Sequence, residues 1–188
     1  MEYFDNLNNV RDYIKMAAGY DGAQLIEVLK SLLPENSTLL ELGMGPGIDF
    51  GLLEEFFQVT GSDSADGFVK IYLETHPNAN VLVLDAVTIE IEKSFNGVFS
   101  NKVLQHLSQT GLKQSFKRQS EILNDDGVLL HSFWYGDKEE NHHGLRTVYY
   151  TKASIEKLVP EDLEIVEFEK YTEMEKDDSF YVVLKQRG

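Results

Sequence analysis

The chain has 188 residues and sets 17 Lys and Arg against 32 Asp and Glu, a net charge of −15. That length suits one domain with a full core, and the acidic field opposes nucleic-acid backbones while favouring small neutral or cationic ligands. The absence of cysteine excludes disulfides, thiolate metal sites and cysteine nucleophiles, and without a signal-like start or a membrane-length apolar run a cytoplasmic location is expected.

Residues 1–33 read as helical. Leu25, Ile26, Leu29, Leu32 and Leu33 recur at helical spacing behind the turn signal Asp21-Gly22, and Pro34 closes the segment. Upstream, Tyr13, Ile14, Met16 and Tyr20 form a shorter amphipathic stretch. Then the rhythm changes: Thr38 to Leu42 is an apolar strand that ends in the loop Gly43-Met44-Gly45-Pro46-Gly47. A helix follows, with Ile48, Leu52, Leu53, Phe56 and Phe57 on one face. Gln58 to Asp63 is a second strand. Phe68, Val69, Tyr72 and Leu73 mark a helix that stops before His76-Pro77.

Val81 to Leu84 is apolar throughout, as expected of a strand covered on both faces. Phe95 to Asn101 reads as a fourth strand. A helix lined by Leu112, Phe116, Ile122 and Leu123 follows, and after the Asp126-Gly127 turn Val128 to Trp134 is a fifth strand. Gly136 to Thr147 is polar and reads as a loop. A last helix starts near Thr151, and Leu163 to Tyr171 and Phe180 to Leu184 finish the chain as strands. Strand and helix alternate through the centre, which predicts a doubly wound α/β fold with helices on both faces of a mostly parallel sheet.

The glycine loop lies between a strand and a helix. Glycines there permit a sharp turn and close approach to a ligand, and the following helix offers unpaired N–H groups. Asp63 stands about 20 residues further on, at a strand end where a carboxylate can bond a ribose hydroxyl. These features point to an adenosine-containing ligand. A nicotinamide fingerprint needs glycine or alanine at the sixth position from Gly43, where Ile48 stands. Glu41 also suits a sulfonium and amino group better than a pyrophosphate. On residues alone, the alternative role is a cap of the following helix for Asp63 and of the turn after its strand for Asp85.

The segment Leu40-Glu41-Leu42-Gly43-Met44-Gly45-Pro46-Gly47 resembles motif I of the class I S-adenosylmethionine-dependent methyltransferases, with Met44 where a cysteine or small residue is more frequent. Gly61-Ser62-Asp63 resembles that family's ribose-binding strand end, and Leu84-Asp85-Ala86 its adenine-binding one. Phe95 to Asn101 is similar to motif IV, and Leu104-Gln105-His106-Leu107 to the small-molecule group's hallmark after it. The Asn-Pro-Pro-Tyr type motif of enzymes that methylate nucleic-acid amino groups is missing.

The resemblance implies a seven-stranded sheet of order 3-2-1-4-5-7-6 with strand 7 antiparallel, in a single domain: residues 1–35 a helical lid, 36–188 a Rossmann-like core. It implies S-adenosylmethionine as cofactor and S-adenosylhomocysteine as product. Glu41, Gly43, Met44, Gly45 and Gly47 would surround the methionine part, Asp63 and Ser64 the ribose, Asp85 and Ala86 the adenine, and Asn101 the methyl end. His106 and Tyr135 are candidate proton-handling residues; Tyr13, Tyr20 and Trp134 are candidates for lid and acceptor pocket. The partner expected is a small-molecule acceptor, with neither nucleic acid nor membrane involved and the chain a monomer or homodimer. His131 reads as structural, and His142-His143 make no convincing metal site. A non-catalytic cofactor- or partner-binding protein of the same fold is the alternative, ahead of an oxidoreductase.

Overall fold

In the computed structural model, which describes residues 2–142 and 144–188, the N-terminal segment is two helices, α1 (Leu7–Met16) and α2 (Ala23–Leu32). Asn6 caps α1 by accepting from the Asn8 N–H. The break between them follows from Gly19, at φ 91, and from Asp21, whose carboxylate takes the Ala23 N–H at 3.0 Å.

The remaining α-helices and strands are β1 (Thr38–Leu42), α3 (Ile48–Glu54), β2 (Gln58–Asp63), α4 (Asp66–Thr75), β3 (Val81–Val83), β4 (Phe95–Asn101), α5 (Gln109–Glu121), β5 (Leu123–Trp134), β6 (Glu139–His142), β7 (Leu145–Val148), α6 (Lys152–Glu156), β8 (Leu163–Tyr171) and β9 (Ser179–Gln186), with a 3-10 turn at Leu104–His106 between β4 and α5. Seven strands form one sheet in the order β3-β2-β1-β4-β5-β9-β8. The pairings from β3 to β5 are parallel, and β9 runs antiparallel to both its neighbours. With β6 and β7 set apart as a separate hairpin, this is the expected order.

Successive residues of the central strands enter opposite cores, as a pleat requires. Leu40, Val98 and Leu129 pack with Leu112 and Phe116 of α5 and Ile155 of α6. Leu39, Phe99 and Leu130 pack with Leu25 and Leu29 of α2 and Phe50 of α3. Helix α3 can lie close to the sheet because Gly61 of β2 has no side chain: a Cβ there would stand 2.6 Å from the Phe50 ring. A third cluster docks the N-terminal segment on α4, through Phe4, Val10, Ala65 and Phe68.

Two local expectations are corrected. Leu123 belongs to β5, paired with Phe95, and the register shift before Val128 absorbs the Asp126-Gly127 turn inside the strand. Residues 136–147 are not a loop throughout, because β6 and β7 pair there. Those strands carry charges where a half-buried strand would show apolar alternation; Arg146 grips both carboxylate oxygens of Glu139 at 2.6 and 2.8 Å. His143 lies outside the described residues. Among the described residues no group of side chains is placed to hold a metal ion, and no helix is long and apolar enough to cross a membrane.

Candidate active site

The strand order reverses between β1 and β4: β1 continues outward to β2, β4 the other way to β5. Their following loops diverge, and a crevice must open at the C-terminal strand ends. A cleft of about 510 Å³ lies there, floored by the glycine loop and Asn101 and walled by the N-terminal segment and the hairpin.

Gly43, Gly45 and Gly47 have φ of 74, 49 and 80, values that side chains other than glycine rarely adopt. Gly43 and Gly45 line the cleft. Gly47 does not; it precedes α3, and the Tyr72 ring fills the space a Cβ would need, 2.3 Å away. Asp63 accepts the Gly45 N–H at 3.0 Å and the Ala65 N–H at 2.9 Å. It therefore braces the glycine loop against the start of α4 while still facing the cleft. Asp85 caps its own turn by accepting from the Val87 N–H at 2.6 Å, and with Met44, Ser64 and Ala86 it also lines the cleft.

Glu41 is 3% exposed, and its Oε2 has no hydrogen-bond partner among the described residues. Burial, with Asp49 and Asp63 adding like charge, pushes its carboxyl well above the usual carboxylate range. Asp49, in the first turn of α3, accepts the Gly22 N–H at 2.6 Å and the Asn101 amide at 3.0 Å. Asn101 in turn accepts from Ser132 Oγ at 2.6 Å, so the turn between α1 and α2, α3, β4 and β5 are tied in one network. Burial raises Asp49 and Asp63 as well, against the hydrogen bonds each accepts.

At the other end, Tyr13 packs edge-on to Phe4 and Phe68 at 5.3 and 5.7 Å, and Tyr20 stands half exposed at the rim. Trp134 faces the cleft, its backbone N–H held by Gln105 at 3.0 Å. The Lys102 ammonium sits 3.8 Å over the Trp134 ring, 2.6 Å from Ser179 Oγ and 3.2 Å from Glu173. Burial lowers it to about 8, against the pull of Glu173. His106 lines the cleft with Nδ1 2.6 Å from the Arg146 carbonyl oxygen. Tyr135 does not line the cleft. The strand pleat turns it away from the Trp134 side; it meets Phe180 edge-on and lies under the Lys170 ammonium at 3.2 Å.

The family model for the methyltransferase domain matches residues 39–127, from β1 through the turn within β5. That match spans a little under half of the chain, and the fold is that of the class I, Rossmann-like methyltransferases. Among solved structures the chain resembles an S-adenosylmethionine-dependent methyltransferase from Clostridium acetobutylicum, at 15% identity and TM-score 0.76 over 97% of this chain and 100% of that one. It also resembles the PH0226 protein from Pyrococcus horikoshii, at 20% identity and TM-score 0.71 over 100% and 96%. A third is the N-methyltransferase NodS from Bradyrhizobium japonicum, in complex with S-adenosylhomocysteine, at 15% identity and TM-score 0.68 over 88% and 85%. No curated protein sequence matches the chain.

Three wall residues of the cleft lie outside the expectations drawn from sequence: Asp49, Lys102 and Glu173. Asp49 carried a signal, an acidic residue in the first turn of the helix that the glycine loop opens. Lys102 directly follows Asn101 and takes φ 58. Glu173 comes from the β8–β9 turn, whose approach to β4 no local pattern announces.

Proposed function

We propose that this methyltransferase binds S-adenosylmethionine in the cleft and catalyses in-line methyl transfer to a small-molecule acceptor. The observation that carries the reading is the unpartnered, buried Glu41 oxygen beside the glycine loop. A buried carboxylate without a counter-ion is costly, and this cleft adds Asp49 and Asp63. Such a site calls for a cation, and an aminoacyl sulfonium is one. When bound, S-adenosylmethionine supplies a methyl group activated by its positive sulfur.

The chain's own residues then divide the work. Glu41 takes the amino group, the glycine loop lies against the aminoacyl part, and Asp63 with Ser64 receives the ribose. Asp85 and Ala86 hold the adenine, and Asn101, fixed by Asp49 and Ser132, borders the methyl end. Tyr13, Tyr20 and the hairpin close the cleft over the reactants and exclude water. Solved structures of similar fold support the cofactor, since the glycopeptide N-methyltransferase MtfA was crystallised with S-adenosylmethionine and NodS with S-adenosylhomocysteine. A small acceptor follows from a cleft walled by short segments of one chain and from its acidic lining.

Calorimetric titration of the full chain with S-adenosylmethionine, S-adenosylhomocysteine and NADH tests the reading. One-site binding of both adenosyl compounds, none of NADH and at least about tenfold weaker binding by Asp63→Ala are expected, the last being the scale of a lost hydrogen bond to a charged group. Well-folded protein that binds neither adenosyl compound overturns it.

A further inference from the structure

His106 and His131 present opposite cases of a histidine beneath a sheet edge. His131 uses both ring nitrogens, one with Ser100 Oγ and one with Gln119 Oε1, each at 2.8 Å, and burial drives it down to about 3. It is a packed, neutral cross-link. His106 uses one. Its Nδ1 lies 2.6 Å from the Arg146 carbonyl oxygen, which can only accept, so Nδ1 carries the proton. Nε2 is then the lone-pair nitrogen, and it has no partner among the described residues in a ring that lines the cleft.

Resting on the methyl-transfer reading above, we propose that His106 is the base for the acceptor and that hairpin β6–β7 positions it. The acceptor is therefore a nucleophile that arrives carrying a proton, an ammonium or a hydroxyl. The acceptor's N–H or O–H bond breaks, its electron pair stays on the acceptor as the nucleophile, and the proton forms an N–H bond at Nε2. The resulting imidazolium keeps Nδ1–H on the Arg146 carbonyl, which stabilises the new charge, and later loses its Nε2 proton to water. Before the step the ring is neutral, as a base must be: burial holds it below the ordinary imidazole value against the Arg146 bond. The charged groups of the packed elements are engaged elsewhere, Arg146 with Glu139 and Lys102 with Glu173.

The hairpin matters because a tautomer is set by what the other nitrogen bonds. Arg146 anchors it twice, through the Glu139 pair and through the Arg146 carbonyl on His106. A free histidine side chain favours the proton on Nε2, so the bonded arrangement inverts the intrinsic preference.

Two-bond proton–nitrogen correlation spectra of the 15N-labelled full chain, with His106→Gln for assignment, read the tautomer directly. A dominant Nδ1–H form at neutral pH is expected, passing to a mixture in Glu139→Ala. A dominant Nε2–H form in the wild type overturns the proposal. In parallel, a panel of alkylamines, phenols and thiols is assayed with S-adenosylmethionine. Turnover of an amine or phenol, lowered ~10²–10⁴-fold in His106→Gln with loss of the acidic limb of its pH profile, supports the assignment. Turnover confined to thiols, or absent from amines and phenols alike, overturns it. Titration with S-adenosylhomocysteine separates the two readings, because donor binding fails only if the cofactor assignment is wrong.

Discussion

Glu41 is a carboxyl the fold buries where ionisation is unfavourable, and its removal divides stability from binding. Glu41→Gln keeps the shape of the side chain while deleting the buried charge. Above the folded-state value of Glu41 the ligand-free variant is expected to melt higher than the wild type by calorimetry, and to bind S-adenosylmethionine more weakly. A lower melting point with unchanged affinity would contradict both the burial cost and the role of the carboxylate. The sign with pH follows. The folded-state value of Glu41 is raised above its unfolded one, so its contribution to stability is full below the unfolded value, about 4.3, and is lost as pH rises through the folded value. The wild type should therefore gain on Glu41→Gln as pH falls across that window, in denaturant titrations run on both proteins. The same residue predicts that binding a cation releases protons, seen as binding enthalpies that vary with the buffer's ionisation heat.

Among the elements, the tie between the α1–α2 turn and the sheet invites a steric test. A methyl group on Gly22 would come within 2.7 Å of Asp49 Oδ2 and 3.0 Å of Asn101 Nδ2, and the backbone there is not left-handed. The cost of Gly22→Ala is then one of crowding, ~1–3 kcal/mol, with weaker S-adenosylhomocysteine binding because Asn101 borders the same cleft. Calorimetry and chemical denaturation check it, and an unaltered midpoint would mean that the network yields freely. In the core, Phe116→Ala should cost ~3–5 kcal/mol by denaturant titration, since that ring is fully buried beneath the sheet.

These elements also show what a sequence discloses. The parallel strands were legible because they are apolar runs between helical spacings, and the glycine loop because three positive-φ turns demand a residue with no side chain. The hairpin was hidden since charges, not apolar alternation, hold it. Tyr135 looked like Trp134's companion, but consecutive strand residues point to opposite faces. Glu173 and Asp49 belong to the site through contacts between distant segments, which no local pattern encodes.

At the scale of the whole molecule, a net charge of −15 acts on both stability and encounter. Self-repulsion among carboxylates is relieved by counter-ions, so the melting temperature at neutral pH should rise between ~0.01 and ~0.15 M salt, as the screening length falls from about 30 to about 8 Å. The rate at which a cationic ligand associates should fall over the same range, read by stopped-flow. A flat response in both would mean that the acidic surface is too dispersed to matter. The edge strand β8, with Glu164, Glu167, Glu169 and Lys170 along it, puts part of that charge where it discourages pairing with another sheet.

The contact of Phe50 with the bare backbone of Gly61 carries a consequence in evolutionary time. Helix α3 holds the glycine loop at its tip, so the height of that helix above β2 is set by one aromatic ring resting where a side chain is missing. Neither position can drift alone without lifting the loop. Across descendants of this chain the two should change together, a larger residue in the strand accompanied by a smaller one on the helix, with the sum of their volumes nearly constant.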